Sequence, residues 1–357
     1  MSAEFRISRR QMLLTLPALA VAPKVWAQAA ARPPINAKYF NHFMLNVSDV
    51  QRSIDFYQGL FGMPIQARQG SAVLLRVGNG PQYLGLQPAG SNPPSISHFG
   101  LAVDNFNADR VVQALLAHGV TKAAAGDPGL AGGPMKVRQT MRGNTTEVFL
   151  GDPDGLIVQL QDASYCGGSG AMGSTCSAVE PSPKKGLLAV KDMSHATIQV
   201  TDAQRTQDFY QAVFGVHVQG HQAPPGSDAS PFYGIGAGPQ FMMFLGAAPA
   251  RGGGAAGGAA PAPRPARIDH ICMSMEGFNP DTVTKTLNGY GLHTQAQGEP
   301  RGPMMTYISL RMPNRGGAEG GTPELYFIDP DGLSVQLQDT TYCGGSGFLG
   351  QVCTPSK

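Results

Sequence analysis

The sequence predicts an α+β protein made of one domain copied twice, each copy holding two units of strand, helix and further strands. Three observations predict it. Residues 41–49 align with 194–202 at an offset of 153, which continues through Asp55, Phe56 and Tyr57 against Asp208, Phe209 and Tyr210. Residues 147–176 and 324–353, at an offset of 177, are identical at 19 of 30 positions, more than shared secondary structure alone produces. Within each copy, apolar periodicity switches between two and 3.6 residues. A length of 357 residues suits two domains at roughly 150 residues each.

The elements follow in order. Residues 39–47 alternate as a strand. Ser48 or Asp49 then caps a helix to about Gln58, with Val50, Ile54, Tyr57 and Phe61 on one stripe and Gly59 or Gly62 ending it. Strands are expected near 65–68, 72–77 and 83–87. The second unit begins with a strand over 96–103 and a helix over 108–118 closed by Gly119. Strands near 136–142 and 145–150 lead through the turn Asp152-Pro153-Asp154-Gly155 into 156–161. The second copy repeats this order, with Asn279 and Pro280 opening its last helix. The offset grows mainly through residues 246–267, made only of Gly, Ala, Pro and Arg, and secondarily through the Gly-rich stretch 313–321. Such a composition cannot bury a core and reads as a surface loop.

Composition narrows the class. Charged residues are 14%, against about 25% in an average soluble domain. No apolar run reaches the roughly 18 residues that span a bilayer. Ser8-Arg9-Arg10-Gln11-Met12-Leu13-Leu14 resembles a twin-arginine motif, followed by a short apolar run and by Val25, Trp26 and Ala27 as a cleavage site. Residues 1–27 are therefore expected to be a twin-arginine-type signal peptide and the mature protein to be periplasmic. Cleavage removes four basic residues and one acid, taking the formal charge from +2 to −1. Nothing in that balance points to nucleic acid, and no integral membrane segment remains after signal removal. An oxidising compartment makes the repeated spacing of Cys166 and Cys176, and of Cys343 and Cys353, read as two local disulfides. Four cysteines allow three connectivities, and the repeat is the one ground for the local choice. The rival is a metal site, which no accompanying His or further Cys supports. The expected organisation is a first domain over 38–162, a disulfide-looped connector over 163–190, a second domain over 191–339 and a disulfide-looped tail over 340–357.

Strand alternation places Phe43, Leu45 and Val47 beneath the helix and His42, Met44 and Asn46 on the other face. In the repeat, Ala196, Ile198 and Val200 take the helix face and His195, Thr197 and Gln199 the other. His98, sharing a face with Gly100, and His270, with Cys272, begin the remaining units in the same way. A single strand histidine is usually structural. Four at equivalent places, on faces otherwise small or polar, point to metal ligation.

These residues carry a resemblance. His42, Val47, Asp49, Phe56-Tyr57 and Phe61-Gly62, a second histidine opening the next unit, then Asp152-Pro153-Asp154-Gly155, resemble the vicinal oxygen chelate superfamily of glyoxalases, bleomycin resistance proteins and extradiol dioxygenases. The resemblance covers both halves. It implies tandem domains, each two βαβββ modules forming an open incomplete barrel around a metal or ligand. It implies that His42 and His98, and His195 and His270, are metal ligands. The third ligand would be a Glu four residues after the turn glycine, where this chain has Gln159 and Gln336. A neutral amide is a poorer partner than a carboxylate for a hard divalent ion. Glu147 and Glu324, on the preceding strand, are candidates to complete the set. Tyr326, sharing a face with Glu324, matches the family's substrate-facing tyrosine. The proton-transfer histidine of extradiol cleavage has no match: Phe244 lies near its place, and His217 and His221 come too early. Cys272 is an extra soft ligand at most, a buried strand thiol being its commoner role.

The expected function is that of an exported metalloprotein. It would use Fe(II), Mn(II) or Zn(II) on a small vicinal-oxygen substrate, in a dioxygenase-like or glyoxalase-like reaction, with Tyr326, Glu147 and Glu324 as catalytic candidates. The alternatives are a metal-free protein that sequesters a small molecule and a scaffold binding partners through residues 246–267. The oligomeric state is left open.

Overall fold

Two open nine-stranded sheets, not closed into barrels, carry the duplication. The computed structural model describes residues 32–176, 179–222, 230–246, 265–311 and 321–353. The expected signal peptide and most of the loops at 246–267 and 313–321 lie outside them. In the first half, β1 (Ala37–Val47), α1 (Val50–Phe61), β2 (Ile65–Gln69), β3 (Ala72–Arg76) and β4 (Tyr83–Pro88) form one module. The second module is β5 (Ser95–Val103), α2 (Ala108–Leu116), β6 (Thr121–Lys122), β7 (Lys136–Arg142), β8 (Thr145–Gly151) and β9 (Ile157–Asp162). The second half repeats this order. It has β10 (Val190–Gln199), α3 (Ala203–Phe214), β11 (His217–His221), β12 (Pro231–Gly234) and β13 (Phe241–Leu245). Its other module is β14 (Arg267–Met275), α4 (Pro280–Tyr290), β15 (His293–Thr294), β16 (Met305–Arg311), β17 (Thr322–Ile328) and β18 (Ser334–Asp339). The first sheet runs β2-β3-β4-β1-β5-β9-β8-β7-β6, and the second has the matching order. The opening strands of the two modules are thus antiparallel neighbours at the centre of each sheet.

Local chemistry accounts for the helices. The Asp49 side chain accepts from the Arg52 N–H at the start of α1, and Gly62 ends it at φ +67° with its N–H on the Gln58 carbonyl. Asp202 and Gly215 do the same for α3, and Asn279 with Pro280 opens α4. Gly59 does not end α1. It lies inside the helix, and its lack of a side chain makes room for the Tyr290 ring of the other half, which occupies the place of a Cβ. α2 stops at Leu116, short of the expected His118, and the His118 ring then bonds the Ala114 carbonyl.

One hydrophobic core runs through the helix-facing side of both halves, including Phe43, Leu45, Val47, Ala196, Ile198 and Val200 as the alternation requires. The two Asp-Pro-Asp-Gly turns cross between the halves. Asp329 folds its own turn by accepting from the Asp331 and Leu333 N–H groups, and also accepts from the Tyr57 hydroxyl at 3.0 Å. Asp331 meets Ser48, Arg52 and Ser53 at the start of α1. Asp152 and Asp154 make the reciprocal contacts with Tyr210, Thr201 and Arg205. Each half therefore braces the start of the other's first helix, which its own Asp49 or Asp202 caps.

Burial raises the carboxyl groups of Asp152 and Asp329 from 3.8 to about 6. The folded state holds these protons more tightly than the unfolded chain. The associated stabilisation is complete below the unfolded value and disappears as pH rises through about 6. Relative to Asp152→Asn or Asp329→Asn, the parent protein should gain about 1 kcal/mol per site on going from about pH 7.5 to about pH 5. Urea unfolding at both pH values measures this, and parallel profiles would refute it.

Candidate metal centre

The β1–β5 pairing sets the site. His42 on β1 is the register partner of Gly100 on β5, and Gly100 is the partner of Gln159 on β9. His98 precedes Gly100 by two residues and shares its face. This brings His42, His98 and Gln159 together, with ring centroids of the two histidines 5.4 Å apart and the rings perpendicular. Both histidines are buried, at 0% and 3% exposure. The His42 ring stacks on Tyr83 at 4.6 Å and leans over Gly100, where any Cβ would strike it.

Hydrogen bonds fix which nitrogen of His42 is free. Asn41 Nδ2 donates to the Tyr165 carbonyl, so Asn41 Oδ1 faces His42 Nδ1 at 2.9 Å and accepts its proton. Nε2 then carries the lone pair. His98 Nδ1 bonds Ser97 Oγ at 3.1 Å. The Nε2 atoms of His42 and His98 are both buried and lack a well-formed hydrogen bond, while the Gln159 side chain interacts with both rings. Burial holds both rings neutral: His42 falls well below the usual imidazole range, with His98 adding to the effect, and His98 falls to about 4. A neutral imidazole with an exposed lone pair is the metal-ligating form.

Gln159 Nε2 donates to the Tyr165 hydroxyl at 3.4 Å. Tyr165 in turn donates to Glu147 Oε1 at 2.8 Å, and Arg142 Nε pairs with the same oxygen at 2.8 Å. Glu147 is thus neutralised by Arg142 and linked to Gln159 through Tyr165. Tyr165 and Asn41 are the participants that strand alternation does not reveal. The repeated Tyr-Cys-Gly-Gly motif was the available signal for Tyr165.

The second half brings together the same positions with different chemistry. His195 and His270 lie 5.6 Å apart, perpendicular, at 2% and 3% exposure. Here His195 Nε2 bonds Gln336 Oε1 at 3.1 Å, so that nitrogen carries the proton. Cys272, buried and free, stands in the row where the first half has Gly100. His270 Nδ1 bonds Asp269 at 3.1 Å, and its ring meets Tyr326 edge-on at 5.2 Å. Glu324 accepts from the hydroxyls of Tyr326 and Tyr342 at 3.1 and 2.8 Å. Among the described residues, no three His, Cys, Asp or Glu side chains form a metal-binding group. In each half the third partner of the two histidines is an amide.

Both expected disulfides are present, Cys166–Cys176 and Cys343–Cys353. No helix among the described residues is long and apolar enough to cross a membrane.

Residues 39–160 match the family model of the glyoxalase/bleomycin resistance protein/dioxygenase superfamily. No curated protein matches the chain. Solved structures share its fold. The Mn(II)-bound glyoxalase from Novosphingobium aromaticivorans is 15% identical, covering 85% of this chain and 82% of that one, with a TM-score of 0.53. The 2,3-dioxygenase LapB from Pseudomonas sp. KL28 is 14% identical over 85% and 92%, at 0.56. Homoprotocatechuate 2,3-dioxygenase from Brevibacterium fuscum, in complex with 3,4-dihydroxyphenylacetate, is 14% identical over 86% and 82%, at 0.55. At these identities the likeness is one of fold.

The lean of His42 over Gly100 generates a test. Gly100→Ala forces the ring aside and should cost roughly 1–3 kcal/mol as overpacking of a filled site. Chemical denaturation measures it, and an unchanged midpoint would show that the ring yields freely.

Proposed function

We propose that this chain, which belongs to the glyoxalase/bleomycin resistance protein/dioxygenase superfamily, is an exported divalent-metal enzyme whose first half holds the ion. His42, His98 and the amide oxygen of Gln159 are the ligands. The observation that carries the reading is the pair of buried Nε2 atoms on His42 and His98 that lack a well-formed hydrogen bond, with the Gln159 side chain interacting with both rings. Buried polar atoms are rarely left without a partner. Imidazole and amide donors suit Fe(II), Mn(II) or Zn(II) better than harder ions. When bound, the ion supplies Lewis acidity toward two adjacent oxygens of a small substrate.

The chain's own residues set the surroundings. Asn41 holds the His42 tautomer, and Tyr165 turns the Gln159 amide so that its nitrogen faces away from the histidines. Glu147, paired with Arg142, keeps a carboxylate one hydroxyl away from that amide. Glu324 and Tyr342 have the corresponding place in the second half, and Tyr326, which aligns with Phe149, adds a further hydroxyl bonded to Glu324. The proton on His195 Nε2 favours a metal-free role there, as a ligand-binding or purely structural site. The two disulfides accord with export to an oxidising compartment, the periplasm in this reading.

Elemental analysis of the full chain purified from its natural compartment should give about one divalent ion per chain. His42→Ala or His98→Ala should abolish it, while His195→Ala and His270→Ala should leave it in place. Turnover of a catechol or of the glutathione adduct of methylglyoxal should follow the metal. Absence of metal from the parent protein, or its loss only from the second-half variants, overturns the assignment.

A further inference from the structure

We infer that each disulfide loop is a redox-controlled strap that closes the histidine face of its own sheet. The first strap spans 165–176. Its backbone carbonyls are held by side chains from opposite parts of the sheet. Asn41 on β1 binds the Tyr165 carbonyl, and Gln66 and Gln69 on β2 bind those of Cys166 and Gly167. From the other side, Arg142 on β7 reaches the Gly168 carbonyl and Thr145 on β8 that of Gly170. The loop therefore bridges the sheet over the histidines. The Tyr165 ring lies 6.2 Å from His42, and a Cβ on Gly167 (φ +77°) would strike Leu74.

The second strap repeats the design. Gln219 on β11 binds the Cys343 carbonyl, Thr322 on β17 binds that of Gly347, and the Tyr342 ring lies 5.5 Å from His195. The same closure is kept in both halves although the residues in the two rows differ. That is the mark of a device belonging to the loop and not to the chemistry beneath it.

The disulfide ties the strap's ends together. Cys166 is buried, but Cys176 is only half-buried and follows the exposed Ser174 and Thr175. A dithiol can reach it. One thiolate attacks Cys176 Sγ, a mixed disulfide forms, and Cys166 leaves as a thiolate that takes up a proton. The second thiol of the reagent then displaces Cys176, which also takes up a proton. Two electrons and two protons pass to the protein, and the reagent becomes a disulfide. With its ends released, the strap keeps its side-chain anchors, the Thr146 N–H to Ala171 carbonyl bond and the Ser169–Thr175 backbone pair, but its two ends are no longer tied, and the histidine face opens by local unfolding. The inference requires no bound ion, so it survives or fails apart from the proposed metal chemistry.

The test reads deuterium uptake at the imidazole C2 carbon of each histidine by mass spectrometry, with backbone amide exchange in the same samples. Dithiothreitol should speed uptake at His42, His98, His195 and His270 on the order of tenfold, through local opening. The exposed His293 should not change. The double variant Cys166→Ser, Cys176→Ser should speed only His42 and His98, and Cys343→Ser, Cys353→Ser only His195 and His270. Thr145→Val, which keeps the disulfide and removes one anchor, should speed His42 and His98 by a smaller factor. Amide protection in β1, β5, β10 and β14 should persist throughout. Unchanged imidazole uptake after cleavage overturns the inference. So does uptake that rises at all four histidines with general loss of amide protection, because the bond is then a staple of the fold and not a catch on the strap.

Discussion

The antiparallel pairing of β1 with β5 is the constraint on which the rest depends. It sits at the centre of the first sheet and brings two imidazoles from different modules onto one face. What enforces the register is the opposite face, where Phe43, Leu45, Val47, Phe99 and Leu101 are fully buried. A slip by one residue would turn those side chains outward and the histidines inward. The convergence of His42 and His98 is therefore stabilised by the hydrophobic core and needs no attraction between the rings. The same pairing of β10 with β14 brings His195 and His270 together in the second half.

The two rows then diverged at few positions. Gly100 leaves room for the His42 ring to lean across β5, whereas Cys272 fills that place. Asn41, itself oriented by the Tyr165 carbonyl, fixes the proton of His42 on Nδ1. Its counterpart Ser194 offers only a hydroxyl at 3.3 Å, and His195 gives its Nε2 proton to Gln336. The first half thus presents a lone pair on His42 Nε2 and the second a satisfied hydrogen bond at the same place, on equivalent backbones. Beside the shared hydrophobic core, the halves are joined by Asp152 with Asp154, and Asp329 with Asp331, which serve both their own turns and the start of the other half's first helix. Neither turn can be lost without exposing a helix start and a buried tyrosine hydroxyl in the opposite half.

Much of this was legible in the sequence, for local reasons. Period-two alternation sorted the strand faces, short polar side chains marked the helix starts, and repeated cysteine spacing gave the disulfides. The four histidines stood out because repetition made a single ambiguous residue into a pattern. What stayed hidden depends on contacts distant in the chain. Gly59 resembles a helix stop until Tyr290 arrives from the other half. The second role of Asp152 and Asp329 appears only when the halves meet, since the turn motif already accounts for each carboxylate. Tyr165 lies beyond the last strand of its domain, and nothing local indicates that its hydroxyl returns to Glu147 and Gln159. The tautomer of His42 follows from an amide orientation set 124 residues away, which no periodicity encodes.

The first row also carries an energetic argument. Two imidazole nitrogens are withdrawn from water with the Gln159 side chain near both, at a cost of up to about 1–3 kcal/mol each. Folding meets that cost through the core on the other face of the sheet, so a coordinating guest need not desolvate the ligands again. Because the rings are neutral and the third donor is an amide, the row brings no charge of its own. Glu147 supplies a carboxylate nearby, but its charge is already shared with Arg142 and the Tyr165 hydroxyl. Affinity in such a row rests on preorganised lone pairs and on dryness, more than on Coulombic attraction. The strap maintains both conditions: it excludes water, and through the carbonyl and hydroxyl of Tyr165 it orients Asn41 and Gln159. Ligand geometry and closure are in this way properties of one loop.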